Sequence, residues 1–172
     1  MDESCIKAGP LVSRLKHIAR RLHRRVDDGD AQARSLVSTD GGEAIQRRHC
    51  LKAVAQRVGF SSWAQARCVL EREDASDRGT FMFRESGGAI SNIWSASYAE
   101  AKEIHAGAGG FLLPYRTQFQ VVQASYVKWL GLDPVDRDWD VMGRDWLAPT
   151  DEAAWARIAG RRLDVLLDGW AA

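Results

Sequence analysis

Hydrophobic residues in the first part of the chain repeat at the spacing of a helix face. They recur every three or four residues in one stretch, at Leu11, Leu15, Ile18, Leu22 and Val26. This spacing predicts one amphipathic helix. The polar run DDGD ends it, and Asp30 then caps a second, short helix that reaches about Val37 and is ended by TDGG.

Two further helices are predicted after the TDGG segment. The third helix points apolar residues inward at Ile45, Leu51, Val54, Ala55 and Val58. Gly59 follows, where a helix commonly ends in a left-handed residue. Ser61 or Ser62 then caps a fourth helix, in which we expect the Trp63 ring to supply much of the buried area. One face of that helix holds Trp63, Ala66 and Leu70.

The second part of the chain carries strand patterns. The candidates are GTFMF, AISNIWSAS, FLLPYR and QFQVVQ. One face of the second candidate holds Ile90, Asn92 and Trp94. The last two candidates are joined by a tight connection at Arg116 and Thr117. Pro114 removes a backbone donor, which places FLLPYR at a sheet edge.

Helices are predicted between and after these strands. YAEAKEIHA begins at a capping box made by Ser97 and Glu100 and ends at GAGG. ASYVKWLGL is stopped by Gly131 and Pro134. Thr150 is expected to cap the last helix. Its inward stripe is predicted at Trp155, Ile158 or Ala159, Leu163, Leu166 and Trp170.

Composition and charge divide the chain of 172 residues, which is 45% hydrophobic and 27% charged. Residues 1–79 hold 15 basic against 11 acidic side chains, a net charge of +4, whereas residues 80–172 hold 9 against 12, a net charge of −3. The run EREDASDRG between the two parts is the candidate linker. We predict a basic helical module at residues 1–74 and an α+β domain at residues 79–172. The predicted fold class is α+β, an N-terminal four-helix module followed by a small, mostly antiparallel sheet with flanking helices.

The cellular location is predicted from three features. No run approaches the roughly 20 apolar residues of a membrane span. The N-terminus, MDESCIKAGPLV, has acids where a signal peptide has bases. Cys5, Cys50 and Cys68 are an odd number of cysteines without disulfide-framework spacing. These features predict a cytoplasmic protein with free thiols.

The ends of the helical module resemble a known element. LKHIARRL followed by LKAVAQRVGFSSWAQARCVLE is similar to the short helical module of bacterial glyoxalase-related proteins, which also occurs beside ankyrin repeats. That family opens with an L-K-x-x-A-x-x-L helix and closes with an A-x-x-x-G-F-x-x-W corner. The matching residues are Leu15, Lys16, Ala19, Leu22, Ala55, Gly59, Phe60 and Trp63. The resemblance covers about residues 11–71 and implies a fold element in a bacterial protein, with no catalytic residues.

A weaker resemblance concerns nucleic-acid binding. The G-F-S-S turn is similar to the second helix-turn-helix of arabinose-regulator-type activators. A recognition helix needs polar side chains at its exposed start, whereas Trp63 occupies that place. The bases lie on the first helix, where they would contact phosphates and read little sequence. The candidate nucleic-acid residues are Arg14, Lys16, Arg20, Arg21, Arg24, Arg25 and Arg67. The alternative is a solvated basic face beside a packing corner.

Two stretches suggest ligand binding. Strands from NIWSASY and PYRTQF are predicted to bring five residues onto one sheet face: Asn92, Trp94, Tyr115, Arg116 and Gln118. A guanidinium beside aromatic rings suits an acidic or planar ligand. In RDWDVMGRDW, Trp139 and Trp146 would lie on one helix face about two turns apart, as a ligand platform. The alternative in both stretches is that the rings belong to the core.

No motif indicates catalysis or a cofactor. The four histidines are scattered, and no C-x-x-C, H-E-x-x-H or G-x-S-x-G spacing occurs. We therefore predict no metal, no cofactor and no catalytic residue. The preferred function is a non-catalytic intracellular interaction or ligand-sensing protein with a small anionic or planar ligand or a protein partner. The alternatives are a DNA- or RNA-binding regulator and a small-molecule enzyme with its site on the C-terminal sheet.

Overall fold

The computed structural model describes residues 9–39, 43–73, 75–85 and 92–170. These residues form eight helices and a three-stranded antiparallel sheet, with four helices ahead of the sheet. The predicted α+β fold class is therefore confirmed. By its internal contacts the chain divides into two compact units. The first comprises Met1–Ala75 and Leu166–Ala172, and the second comprises Ser76–Val165.

The first unit contains four helices at the positions that the hydrophobic spacing predicts. They are α1 (Gly9–Asp27), α2 (Ala31–Ser35), α3 (Arg47–Arg57) and α4 (Trp63–Leu70). The predicted stripe of α1 is buried except for Ile18, which is half-buried. In α3 the inward face is formed by Cys50, Ala53, Val54 and Ala55. Leu51 is only half-buried, and Ile45 lies ahead of the helix.

Side-chain caps explain where these helices begin. The Asp30 carboxylate accepts a hydrogen bond from the backbone N–H of Ala33 at 3.0 Å, as predicted. At α4 the cap is Ser62, whose hydroxyl oxygen accepts from the N–H of Gln65 at 3.1 Å. Gly59 has a φ of 95°, so the chain leaves α3 through a left-handed residue as expected.

The buried ring at the corner between α3 and α4 is Phe60, not Trp63. Phe60 is 2% exposed, whereas Trp63 is half-buried. Trp63 is the first residue of α4. Its ring therefore lies at the helix start, where less of the unit covers it. The expectation that the Trp63 ring supplies much of the buried area is corrected: the fully buried ring at this corner is Phe60.

The second unit is built on the sheet. Its elements are β1 (Ile93–Ser95), α5 (Tyr98–Ala108), β2 (Phe111–Tyr115), β3 (Gln118–Val122), α6 (Ala124–Trp129), α7 (Arg137–Val141) and α8 (Glu152–Leu167), of which the last two residues of α8 belong to the first unit. The strand order is β1-β3-β2, so β2, which contains Pro114, is an edge strand as predicted. Its outer side bridges residues 144–146: Leu112 donates to the Arg144 carbonyl and accepts from the Trp146 N–H.

The two faces of the sheet have different surroundings. One face packs α5 in a cluster built on Ala101, Leu112 and Val121. The other face carries Leu113 and Gln120, both fully buried. The largest buried side chains of the unit are Trp139, Trp146 and Trp155.

Two predictions of local structure are wrong. GTFMF is not a strand: residues 79–82 form turns, with Phe81 and Met82 buried. Thr150 does not cap α8, because its hydroxyl donates to the Val141 carbonyl at 2.8 Å. The cap is Asp151, whose carboxylate accepts from the Ala154 N–H at 2.6 Å.

Three further residues were placed on predicted helix or strand faces: Leu166, Trp170 and Ile90. Leu166 and Trp170, placed on the inward stripe of the last helix, are half-buried. Ile90, placed on one face of the AISNIWSAS strand, lies outside the described residues.

Candidate functional site

The register of the sheet places four of the five predicted ligand residues on one face. Trp94 pairs with Gln120 across β1 and β3, and Tyr115 pairs with Gln118 across β2 and β3. Directly opposed residues share a face, and side chains alternate along each strand. Trp94, Tyr115 and Gln118 therefore lie on one face, and Asn92 directs its amide to Gln120 on that face at 3.0 Å.

Three aromatic rings form a continuous surface on this face. The Trp94 and Tyr115 rings meet edge to face, with centroids 5.4 Å apart and planes at 83°. Phe83 packs on the other side of Tyr115 at 4.3 Å. Phe83 and Tyr115 are half-buried, whereas Trp94 is 44% exposed. We call Phe83, Tyr115 and Trp94 the aromatic shelf.

Arg116 stands in the hairpin next to the shelf with a left-handed backbone, φ 51°. Two backbone hydrogen bonds hold this conformation: its N–H donates to Gly79 at 2.8 Å, and its carbonyl accepts from Arg78 at 3.1 Å. Its guanidinium carbon lies 5.6 Å from the centroid of the Tyr115 ring. Arg116 is exposed, and within the described residues it forms no ion pair. A left-handed non-glycine residue is costly, and such strain is concentrated at functional sites.

A buried polar chain supports the shelf from below. Gln120 is 0% exposed and accepts from the Asn92 amide, while its own amide donates to the Tyr126 hydroxyl at 3.4 Å. Burial raises the pKa of Tyr126, so the phenol stays protonated. Both ends of the Gln120 side chain are thus engaged, which fixes β3 beneath the rings. Sequence reasoning missed Gln120, although a polar residue between Phe119 and Val121 was the available signal.

A second cation lies one residue after Phe83. The Arg84 guanidinium carbon is 4.9 Å from the centroid of the Trp129 ring, and its Nη1 donates to the Trp129 carbonyl at 3.0 Å. Trp129 is 37% exposed. Exposed rings and guanidinium groups thus recur together in this unit.

The Asp-rich segment from residue 133 to residue 145 pairs with other groups. Arg157 contacts both carboxylate oxygens of Asp138, and Arg161 bridges Asp138 and Asp136 at 2.8 and 3.0 Å. The hydrogen bond from Arg157 is the main cause that lowers the pKa of Asp138 to about 2. Within the described residues, none of these acids pairs with Arg116. Asp140 is paired with Arg144, and Asp145 accepts from Tyr98, Leu147 and Ala148.

Trp139 and Trp146 are core residues. Trp139 is 0% exposed and its indole donates to the Asp133 carbonyl at 3.0 Å, while Trp146 is 1% exposed and packs on Trp155. They do not share a helix, because α7 ends at Val141. The predicted helical platform is therefore wrong: the intervening chain turns, and neither ring is open to a ligand.

One buried side chain was not predicted at all. Arg162 is 2% exposed, and its guanidinium donates to the carbonyls of Phe81, Phe83 and Leu130. Burial lowers the pKa of Arg162 to about 10. Arg162 therefore anchors the 81–83 segment that carries one ring of the shelf. Its position four residues after Ile158 on the inward stripe was the available signal.

The candidate nucleic-acid residues fall into two groups, those that interact with other groups of the protein and those that form no described ion pair. Arg25 is paired with Asp30 at 2.7 Å and Arg67 with Glu71 at 3.3 Å. Arg14 is half-buried and makes contacts of its own. The remaining four are exposed and form no ion pair within the described residues: Lys16, Arg20, Arg21 and Arg24.

Other chemistry finds little support in the described part of the chain. No group of three or more His, Cys, Asp or Glu side chains there is arranged to hold a metal ion. Cys50 is buried, and burial raises the pKa of its thiol, which disfavours the thiolate. No helix among the described residues has the length and apolar character needed to cross a membrane.

Comparison of the chain with protein-family models, with curated proteins and with solved structures gave no match. The resemblance of residues 11–71 to the helical module of glyoxalase-related proteins stays a prediction.

Proposed function

We propose that this is a non-catalytic, cytoplasmic binding protein that holds a small, planar, anionic ligand on the aromatic shelf. The observation that carries the proposal is Trp94, a large ring 44% exposed and steadied by edge contact with Tyr115. Arg116 supplies a cation beside the same rings that no described acid neutralises. Planar anions combine both preferences, since their face stacks on a ring and their charge pairs with a guanidinium.

The physical logic is preorganisation. Trp94 and Tyr115 are held by their mutual contact, and Arg116 is held by two backbone hydrogen bonds from Arg78 and to Gly79. Little conformational entropy is then lost when a ligand binds. The buried Gln120 chain keeps the strands in register below the rings. Each of these features favours binding over a purely structural role for the shelf.

A thermal-shift screen of aromatic carboxylates against their neutral amides tests the proposal. The carboxylates are expected to raise the melting temperature of the parent protein more than the amides do. Trp94→Ala and Arg116→Gly should each abolish that difference. Glycine is chosen at position 116 because it adopts the left-handed backbone without strain, so the hairpin is retained.

Arg144→Gly is the matched control for Arg116→Gly. Arg144 also has a left-handed backbone, φ 53°, and its substitution removes the same charge from the same unit. Its ion pair with Asp140 is exposed and contributes little. The control is expected to keep the carboxylate response. Equal responses from Arg116→Gly, Arg144→Gly and the parent would contradict the proposed site.

A further inference from the structure

The outer face of α1 carries cations without described acid partners. Lys16, Arg20, Arg21 and Arg24 are exposed and lie outside the buried stripe of the helix. Elsewhere in the first unit, Arg48 and Arg67 are paired with Glu43 and Glu71, while Arg34, Arg47 and Lys52 are exposed but do not form such a row along one helix. We call Lys16, Arg20, Arg21 and Arg24 the cation ladder.

The spacing of the cation ladder works against the stability of the isolated helix. Lys16, Arg20 and Arg24 recur every four residues, which places successive side chains about 6 Å apart along the axis. Like charges at this spacing repel, at a cost of about 0.2–0.5 kcal/mol for each pair. A polyanion lying along the helix would relieve this repulsion and gain the attraction of all the charges together.

We propose that the cation ladder binds the phosphate backbone of a nucleic-acid duplex, without regard to sequence. A duplex carries about one negative charge for every 1.7 Å of its axis, dense enough to engage all four cations. Helix α1 contains no Phe, Tyr or Trp. Binding to single strands usually adds base stacking on such rings. A duplex backbone is therefore the occupant that this face fits, independently of the aromatic shelf.

A membrane surface fits the helix less well. An amphipathic helix binds lipid by burying its apolar face at the bilayer surface. In α1 that face is already covered, since Leu15 and Leu22 are 0% exposed and Leu11 is 6% exposed. Binding of α1 to a membrane would therefore depend on charge attraction alone.

The corner before α4 gives no means of reading bases. The Gln65 side-chain oxygen accepts from the N–H and the hydroxyl of Ser61, at 2.6 and 3.0 Å. The Ser62 hydroxyl is used as the helix cap. The polar groups at the start of α4 are thus engaged within the corner, and phosphate contacts by themselves carry no sequence information.

The test measures binding of a short random-sequence DNA duplex by fluorescence anisotropy between about 50 and 200 mM salt. Four phosphate contacts predict a slope of about −3.6 for the logarithm of the association constant against that of salt concentration, a loss of about 150-fold over this range. The variant Lys16→Gln/Arg20→Gln/Arg24→Gln should leave a slope of about −0.9, because only Arg21 remains. Glutamine is chosen because it keeps the helix propensity close to that of lysine and arginine.

The matched control removes three exposed cations from the second unit, in Lys102→Gln/Lys128→Gln/Arg137→Gln. This control has the same net charge as the α1 variant. It therefore distinguishes binding at the cation ladder from a general effect of net charge. The control should keep the parent slope. Equal losses in the two triple variants would overturn the proposal, as would parent binding that does not weaken with salt. Tighter binding of the parent to phosphatidylserine vesicles than to the duplex would overturn it in favour of a membrane surface.

Discussion

The two units of this protein use their arginines differently. In the first unit, four cations of α1 stand exposed with no described acid partner. In the second unit, Arg162 is buried against three carbonyls, and Arg157 and Arg161 hold the Asp138 carboxylate. The difference indicates that the four cations of α1 are available to a partner, whereas Arg157, Arg161 and Arg162 hold the second unit together. Arg116, which is exposed, is an exception in that unit.

The aromatic residues of the two units also differ, and here it is the second unit that exposes large side chains. The first unit buries Phe60 and leaves Trp63 half-covered, and its other core residues are mostly small or aliphatic. The second unit buries Trp139, Trp146 and Trp155. It also leaves Trp94 exposed on a rigid sheet. A unit that buries three indoles but leaves those of Trp94 and Trp129 exposed is the better place to look for a ligand.

The largest expected effect follows from Arg162. Arg162→Met leaves the carbonyls of Phe81, Phe83 and Leu130 buried without their donor, at about 1–3 kcal/mol for each unsatisfied group. We expect the free energy of unfolding to fall by about 5 kcal/mol, measured by urea denaturation. Arg20→Met, on the exposed face of α1, should change it by less than about 0.5 kcal/mol. Similar losses in the two variants would erase the contrast between the units.

The corner of the first unit gives the next largest effect. Phe60→Ala removes a ring that is 2% exposed and should cost about 3–4 kcal/mol in unfolding free energy. Trp63→Ala should cost clearly less, because its ring is only half-buried. The melting temperatures of the two variants show which substitution costs more stability. A greater loss for Trp63→Ala would restore Trp63 as the core anchor of the corner.

Sequence patterns predicted the regular elements of this protein well, for a physical reason. The stripe of α1 and the caps Asp30 and Ser62 depend on neighbours within a few residues, and Pro114 marks an edge strand by itself because it lacks a backbone donor. The 81–83 segment does not: its carbonyls are satisfied by Arg162, about 80 residues later in the chain. No local pattern shows such a donor, so the segment was mistaken for a strand.

The residues of the candidate site also fall into those that a local pattern could place and those that it could not. Alternation along β1 and β2 was enough to place Trp94 and Tyr115 together. The contribution of Phe83 to the shelf was missed because it comes from a non-strand segment anchored by Arg162. The burial of Trp139 and Trp146 agrees with the core alternative, whereas the single helix assumed to carry both rings was wrong. The left-handed residues Gly143 and Arg144 turn the chain between them, and a helical period assumed across that turn misplaced both rings.

A smaller effect concerns Asp138 and pH. The folded protein holds the pKa of Asp138 at about 2, below its ordinary value, so ionised Asp138 stabilises the fold. This contribution is complete above about pH 4 and is lost as the pH falls towards 2. Asp138→Asn should cost about 1–2 kcal/mol at pH 7, since Arg157 and Arg161 are half-exposed and solvent screens the pairs.

Denaturant unfolding of Asp138→Asn and the parent between pH 2 and 7 checks this behaviour, with the difference shrinking at the acid end. A difference that stayed constant with pH would show that Asp138 acts through packing or neutral hydrogen bonds. Its ion pairs would then not be the source of the stability assigned to them in the second unit.

The most direct test of the central claim follows the seven tryptophan indoles by NMR during titration with the aromatic carboxylate most effective in the thermal-shift screen. Single Trp→Phe variants assign the indole N–H signals. If the shelf binds the ligand, the Trp94 signal moves progressively with ligand concentration while those of buried Trp139 and Trp146 stay in place. An unmoved Trp94 signal, or equal movement of the three, would contradict a ligand site on the aromatic shelf.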